Sequence, residues 1–165
     1  MQTDLIAIEE LVWERLALIP DPEIPVISMA ELGIVRNVRY DGKKLDITIT
    51  PTYTGCPAMQ LFQAEIKAAM HDQGFDEVNF QTVYAPAWTT DWLSPDAKEK
   101  LRKYGIAPPV KGADTDDPLA PPVPIPCPRC GSKHTEKVSQ FGATACKALY
   151  TCQDCKEPFE YFKHF

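Results

Sequence analysis

The chain has 165 residues, of which 44% are hydrophobic and 24% are charged. This balance is typical of a globular protein and excludes an intrinsically disordered one. The net charge of −6 lies mainly in residues 1–104, which hold 16 acidic and 10 basic side chains. Because no basic stripe is available to neutralise phosphates, the composition argues against a nucleic-acid partner.

The first segment of the chain lacks a secretory or membrane signal. Residues 5–19 are apolar on one side only and include Glu9, Glu14 and Arg15, which the apolar region of a signal peptide would exclude. No apolar run approaches the roughly 20 residues that a membrane helix needs. Six cysteines, four of them in two CxxC pairs, indicate metal ligands before disulfides. We therefore expect a cytoplasmic protein without a membrane segment.

Hydrophobic periodicity and turn residues predict five elements in the first part of the chain. They are a helix over 5–19 with Thr3 as N-cap, strands over 34–40 and 44–50 joined at Asp41-Gly42, a helix that starts at Pro57 and ends before Gly74, and a strand over 78–84. Asp-Gly between two alternating strands is a strong hairpin signal, and proline suits the first position of a helix. The order α-β-β-α-β predicts a compact, two-layer α+β domain.

A further short helix is predicted from Ser94 to Tyr104, since serine is a good N-cap and proline is favoured directly after it. Residues 105–126 then hold seven of the sixteen prolines, which predicts a semi-extended linker and not a core element. The predicted organisation is an α+β domain with an added C-terminal helix over 1–104, a proline-rich linker over 105–124 and a small C-terminal zinc ribbon over 125–165.

Two cysteine pairs define the last region: Cys127 with Cys130, and Cys152 with Cys155, separated by 21 residues. Each CxxC turn supplies two thiolates, and tetrahedral zinc takes four. Roughly forty residues bury too little surface to fold without a staple, so the predicted metal is structural and no catalytic residue is expected. A rubredoxin-like iron could occupy the same four ligands.

Other side chains of this region have plainer interpretations. Cys146 is interpreted as a small buried side chain, although a functional role stays open. His134 is interpreted as a surface residue rather than a competing ligand, and His164 lies where fraying is expected. Aromatic residues exceed what so small a module is expected to bury, which predicts a docking surface made of Tyr150, Phe159, Tyr161 and Phe162.

A solitary cysteine, Cys56, immediately precedes the second predicted helix. Free N–H groups and the positive end of the helix dipole would stabilise a thiolate there, and Gly55 would allow close backbone approach. The irregular loop over 21–25 adds the carboxylates of Asp21 and Glu23, which we expect to lie outside any core. One interpretation is a transient site for iron or a cluster. The other is a capping cysteine, with the carboxylates in turn hydrogen bonds.

Three ordered motifs resemble the small domain of the SufT-like iron–sulfur assembly proteins, which eukaryotic cytosolic iron–sulfur targeting factors share. This resemblance covers about residues 5–85 and rests on Asp21-Pro22-Glu23-Ile24-Pro25, Glu31-Leu32-Gly33-Ile34-Val35 and Thr54-Gly55-Cys56-Pro57. Three later motifs are similar to the PaaD branch of that family (also labelled PaaJ): Trp88-Thr89-Thr90-Asp91-Trp92-Leu93-Ser94, Cys127-Pro128-Arg129-Cys130-Gly131 and Phe141-Gly142-Ala143-Thr144-Ala145-Cys146-Lys147.

The resemblance implies an accessory protein of the bacterial phenylacetyl-CoA epoxidase system of phenylacetate degradation. That oxygenase has a diiron catalytic subunit and a reductase with an iron–sulfur cluster and a flavin. PaaD proteins are regarded as maturation factors and not as catalysts, so the expected partners are these subunits and the iron–sulfur assembly machinery. In the wider family the cysteine matching Cys56 is the one most often tied to activity, which favours a functional thiol here.

The expected cofactors are therefore a structural zinc and, transiently, iron or an iron–sulfur cluster. Two rival interpretations stay open at this point. The first is a working subunit of the oxygenase, with redox-active iron in the ribbon. The second is a nucleic-acid-binding ribbon, which the acidic charge of the chain disfavours.

Overall fold

The computed structural model of the chain describes residues 2–114 and 119–165, which form two compact units that divide after Trp88. The helices and strands are α1 (Gln2–Leu16), β1 (Val35–Tyr40), β2 (Lys44–Ile49), α2 (Met59–His71), β3 (Glu77–Thr82), α3 (Pro95–Tyr104), β4 (Ile106–Ala107), β5 (Thr135–Ser139), β6 (Lys147–Cys152) and β7 (Pro158–Phe162), with a 3-10 turn at Thr90–Trp92. Among the residues described, no helix is both long enough and apolar enough to cross a bilayer.

The first unit is built on a three-stranded sheet in the order β1-β2-β3. β1 and β2 pair antiparallel across the predicted turn, where Asp41 accepts hydrogen bonds from the backbone N–H groups of Lys43 and Lys44, and Gly42 has a φ of 98°. β3 runs parallel to β2, so the chain must cross over between them, and α2 lies in that connection. The predicted α+β class and the order of its elements are confirmed.

The apolar core of the first unit includes fully buried side chains from α1, α2 and β2. They are Leu16, Leu45, Ile47, Ile49, Ile66 and Met70, and Ile34, directly before β1, is equally buried. Burial of alternate residues in β2 follows from the two-residue period of a strand. The helices start elsewhere than predicted, since α1 begins at Gln2, so that Thr3 lies inside it, and α2 begins at Met59, two residues after Pro57.

The second unit contains a four-stranded sheet in the order β4-β7-β6-β5, preceded by α3. Ser94 caps α3 by accepting a hydrogen bond from the N–H of Ala97, and Gly105 ends the helix with a φ of 96°. The predicted N-cap at Ser94 and the predicted end of the helix at Tyr104 agree with the structure. β5, β6 and β7 pair antiparallel, as expected for a ribbon.

The structure differs from the prediction at the boundary between the units. α3 lies in the second unit, and the strand that follows it, β4, pairs in parallel with β7. Ile106, Ala107 and Ile125 are buried, and the last two belong to the same apolar cluster as Cys127. Part of the proline-rich stretch is therefore a core element. Residues 115–118 of the expected linker lie outside the described residues.

Candidate functional site

The four cysteines of the two CxxC pairs come together in the second unit. Their sulfur atoms all lie within 4.8 Å of one another. The sulfurs of Cys127 and Cys155 are 3.7 Å apart, and those of Cys130 and Cys152 are 3.6 Å apart. Sulfurs placed at about 2.3 Å around a tetrahedral zinc ion would be about 3.8 Å apart. The set therefore fits a four-thiolate metal site.

The two turns that present these cysteines are built alike. Gly131 donates its N–H to the carbonyl of Cys127, and Lys156 donates its N–H to the carbonyl of Cys152. Both donors have a positive φ, 77° at Gly131 and 63° at Lys156. Glycine adopts this conformation without strain, and a lysine adopts it only when its surroundings hold it there. The two CxxC pairs thus lie in two separate turns of the same closed conformation.

Backbone N–H groups also act on the sulfurs. Those of Cys155 and Asp154 lower the pKa of the Cys152 thiol to about 7. At Cys130 the N–H of Ser132 favours the thiolate, but desolvation and the neighbouring thiols raise the pKa to about 12. Four adjacent sulfurs cannot all ionise unless a cation neutralises them, which is the chemistry of a metal ligand set. Four protein ligands fill a tetrahedral ion, so the site leaves no position for a substrate.

Polar side chains connect the two turns around the sulfurs. Ser132 donates to Asp154, and the other carboxylate oxygen of Asp154 lies 3.2 Å from Nδ1 of His134. Both contacts hold the pKa of Asp154 below its usual value. Arg129 pairs with Glu157 across the same gap. The sequence alone did not identify Asp154 or Glu157 as part of the site. Their only signal is position, since Asp154 lies inside the second CxxC pair and Glu157 lies two residues after it.

The aromatic residues expected to form a docking surface are buried instead. Tyr150, Phe159, Tyr161 and Phe162 each expose 8% of their surface or less. Tyr150 stacks on Phe159 at 5.8 Å between ring centroids, and the Tyr161 hydroxyl donates to Asp114 at 2.7 Å. The expectation was wrong because the proline-rich stretch supplies apolar surface that a ribbon alone would lack. Burial raises the pKa of Tyr150 to about 12.

Cys146 lies outside the four-sulfur set. Its side chain is buried, and its sulfur is 3.0 Å from Oγ1 of Thr144. Its carbonyl accepts a hydrogen bond from the N–H of Lys163. The burial is that of a small packed side chain, and any chemical role for this thiol stays a prediction.

Cys56 occupies a turn ahead of α2. Its N–H donates to the carbonyl of Tyr53 at 3.2 Å, and its own carbonyl accepts from the N–H of Met59 at 3.4 Å. Gly55 has a φ of 81°, which favours glycine, and open space surrounds the point where a side chain would begin. Cys56 is half-buried, so part of the residue is open to solvent. Because α2 begins three residues later, the cysteine lies further from the helix along the chain than predicted.

The carboxylates of the loop over 21–25 differ from each other. Asp21 is only 3% exposed, and its Oδ1 accepts hydrogen bonds from the N–H groups of Glu23 and Ile24, each at 2.8 Å. The expectation that Asp21 lies outside any core is therefore wrong, because its carboxylate closes the turn over residues 21–24, which contains Pro22. Glu23 is exposed. Its part in binding stays a prediction.

Comparison with known proteins gives a match for each unit. Residues 9–79 match a family model described as iron–sulfur cluster assembly protein, and residues 111–163 match one described as PaaD zinc beta ribbon domain. The crystal structure of a domain of unknown function, DUF59, from Bacillus anthracis is 26% identical, with a TM-score of 0.56, and the match covers 61% of this chain and 97% of that one. Fold and site thus define a protein in which an iron–sulfur-assembly domain is joined to a zinc ribbon.

A relative of similar length narrows this class of protein to one family. The chain is 52% identical to a protein of Escherichia coli (strain K12) that is provisionally named as one of the subunits of 1,2-phenylacetyl-CoA epoxidase. The match covers 92% of this chain and 90% of the relative. This chain belongs to the PaaD family, which confirms the resemblance seen in its motifs.

Proposed function

We propose that this chain is a non-catalytic accessory factor of the phenylacetyl-CoA epoxidase, acts in the cytoplasm and assists the insertion of iron or an iron–sulfur cluster into the subunits of that enzyme. Two similarities support the proposal. One is the relative named as an epoxidase subunit, and the other is the match of the first unit to the iron–sulfur assembly model. The partners would be the diiron oxygenase and iron–sulfur reductase subunits, together with the assembly machinery.

The observation that carries the non-catalytic assignment is the closed set of four sulfurs, all within 4.8 Å of one another. Cys127, Cys130, Cys152 and Cys155 would hold a zinc ion, which contributes folding free energy and no open coordination position. The protein's own part is to fix the two turns that present the sulfurs. The chemistry of cluster transfer would then fall to the other unit.

In the first unit, the proposal assigns the transient contact with iron or a cluster to Cys56. Its turn is held by backbone hydrogen bonds on both sides, and the cysteine is partly open to solvent. Glu23 is exposed and could add a carboxylate, whereas Asp21 shapes the loop from inside. Loops held in this way by a rigid scaffold commonly carry function.

The test compares Cys56→Ser with Cys146→Ser in cells that produce the epoxidase subunits. We expect Cys56→Ser to leave the zinc content and the melting temperature unchanged while the purified reductase and oxygenase lose cluster and iron. Cys146→Ser, which removes the other cysteine outside the metal set, serves as the matched control for loss of a thiol. Full cluster and iron content in the clients of Cys56→Ser would contradict the proposal.

A second candidate function is that of a working oxygenase subunit with redox-active iron at the four sulfurs. The sulfur geometry is compatible with this function because four tetrahedral thiolates also bind iron. The name of the relative as an epoxidase subunit also supports it. Elemental analysis of the purified protein separates the two. One zinc per chain without visible absorption supports the accessory factor, and a red protein with one iron supports the redox subunit.

A further inference from the structure

The four cysteines of the metal site differ in how far solvent reaches them. All six cysteines of the chain lie in described residues, and among them Cys130 alone is exposed. Cys127 and Cys152 expose 2% and 0% of their surface, and Cys155 is half-buried. Small oxidants attack the thiolates that solvent can reach. The four ligands are therefore unequally open to attack, and Cys130 is the most open of them.

The turn that carries Cys130 leaves open space beside it. Its neighbours Arg129 and Gly131 are exposed, and a side chain begun at Gly131 would meet no heavy atom within 4 Å. The second turn has the same backbone form, but Lys156 occupies the position that corresponds to Gly131. A side chain thus follows the second cysteine of that turn, whereas free space follows Cys130.

Hydrogen bonds to sulfur separate Cys130 from a neighbouring ligand, Cys152. The N–H of Ser132 acts on the sulfur of Cys130, whereas the N–H groups of Asp154 and Cys155 both act on the sulfur of Cys152. Donors of this kind draw charge from a thiolate and weaken it as a nucleophile. Exposure and hydrogen bonding therefore both favour a first attack by Cys130. The sulfur of Cys152 lies 3.6 Å away, within easy reach of a second step.

From this arrangement we infer that Cys130 is a peroxide-sensitive site, at which oxidation releases the metal and unfolds the second unit. The Cys130 thiolate attacks one oxygen of hydrogen peroxide, which breaks the O–O bond and gives a sulfenic acid and a hydroxide ion. The Cys152 thiolate then attacks the Cys130 sulfur, forms the S–S bond and displaces a second hydroxide ion. Two thiolates have together lost two electrons, and the peroxide has gained them.

The disulfide removes half of the ligand set, because a sulfur in a disulfide no longer carries the charge that binds a cation. Cys127 and Cys155 remain as thiolates, and two ligands are too few for a structural zinc site. The second unit then loses the metal that stabilises it, and a thiol reductant restores the four ligands. This inference is independent of the proposed function, since it concerns the stability of the second unit and not its client.

The experiment treats the zinc-loaded, full-length chain with hydrogen peroxide and follows zinc release with a chromophoric chelator. Samples taken during the reaction are alkylated, digested without reductant and mapped by mass spectrometry. We expect zinc release to run in parallel with a disulfide between Cys130 and Cys152, and dithiothreitol with added zinc to reverse both. A disulfide without Cys130, or zinc retained while the half-buried Cys56 is oxidised, would overturn the inference. A disulfide from Cys130 to Cys127 would overturn the role of Cys152.

Cys130→His and Cys155→His are the matched variants, since each leaves three thiolates and one imidazole, a set that structural zinc sites also use. Cys130→His is expected to slow zinc release by about 10-fold or more, because the exposed sulfur is gone. Cys155→His removes a less open sulfur and should change the rate by less than about twofold. Zinc content and melting temperature verify that each variant is folded before oxidation. Equal rates in both variants would overturn the inference, and the mapping of the wild type decides even if Cys130→His fails to fold.

Discussion

The interior of each unit of this protein is stabilised by different kinds of interaction. The fully buried side chains of the first unit are mostly aliphatic, with Leu45, Ile47 and Ile49 of β2 at its centre. The second unit also buries three cysteines, two tyrosines and two lysines, which are Cys127, Cys146, Cys152, Tyr150, Tyr161, Lys147 and Lys163. The first unit thus depends mainly on apolar surface removed from water, and the second adds four adjacent sulfurs and a buried ion pair to its own apolar cluster.

This difference teaches that a short chain can bury charged side chains beside a small apolar cluster when those charges have partners. Lys147 meets Glu160 at 2.7 Å, and Lys163 donates to a backbone carbonyl at 3.0 Å. Buried charges without partners would destabilise such a unit by several kcal/mol. Different substitutions or conditions should therefore unfold the two units. Each prediction below concerns a change that acts on one unit alone.

Removal of the metal should have the largest effect. Metal binding supplies on the order of 10 kcal/mol to small structural zinc sites, about as much as the whole stability of a domain. Cys127→Ser, or a strong chelator, is expected to unfold the second unit while the first stays folded. Hydrogen exchange read by segment checks this, since residues 89–165 should lose protection and residues 1–88 keep it. Retained protection throughout the second unit would show that the sulfurs are not its staple.

Truncation of the aliphatic core should produce the opposite pattern. Ile47→Ala removes a side chain with 0% exposure and is expected to lower the free energy of unfolding of the first unit by about 3 kcal/mol. Zinc content should stay at one ion per chain. Ile6→Ala, at a position that is 53% exposed, is the control and should change stability by less than about 0.5 kcal/mol. Loss of zinc in Ile47→Ala would mean that the units are not independent.

Glu160→Gln should destabilise the second unit, because it leaves the ammonium of Lys147 buried beside a neutral amide. We expect a loss of about 2 kcal/mol, less than for a fully buried pair because the Glu160 side chain is 25% exposed. Lys147→Met with Glu160→Gln should restore part of the stability, since the unpaired charge is then gone. Urea unfolding of the single and double variants measures both effects.

The same carboxylate predicts a pH dependence. Burial raises the pKa of Glu160, but the Lys147 ammonium and the Ala143 N–H outweigh it and hold the pKa below its usual 4.5. A carboxyl with a lowered pKa in the folded state contributes stability above its unfolded pKa and loses it as the pH falls through the folded one. The difference in unfolding free energy between wild type and Glu160→Gln should be constant down to about pH 5 and narrow below it. A constant difference at all pH values would exclude this role.

The smallest effect is expected at the polar contacts around the sulfurs. Asp154→Ala removes the bonds to Ser132 and His134 and should weaken zinc binding by about 10-fold, as loss of groups that orient metal ligands commonly does. Competition with a chromophoric chelator measures the affinity. Lys133→Ala, in the same exposed segment, is the control and should leave it unchanged. Equal zinc affinity in both variants would show that the contacts of Asp154 do not contribute to zinc binding.

Local features of this fold could be predicted from the sequence because a few neighbouring residues encode them. The Asp41-Gly42 turn, the Ser94 cap and the closed turn of each CxxC pair depend on backbone conformation and hydrogen bonds within about five residues. The four-sulfur cluster followed from the same logic, since two such turns joined by a hairpin must meet. The motif around Cys56 was visible in the chain, but its geometry was not.

Only the tertiary structure decided which residues are buried together. Asp21 lies in an irregular loop, yet the fold covers it, and the aromatic side chains of the ribbon are covered by residues far away along the chain. α3 belongs to the second unit because β4 pairs with β7, more than fifty residues later. The sequence by itself thus determined the local turns, the four cysteines that come together and the family. The assignment of α3 and the burial of the aromatics depend on long-range packing, whose free energy is shared among residues that no short pattern connects.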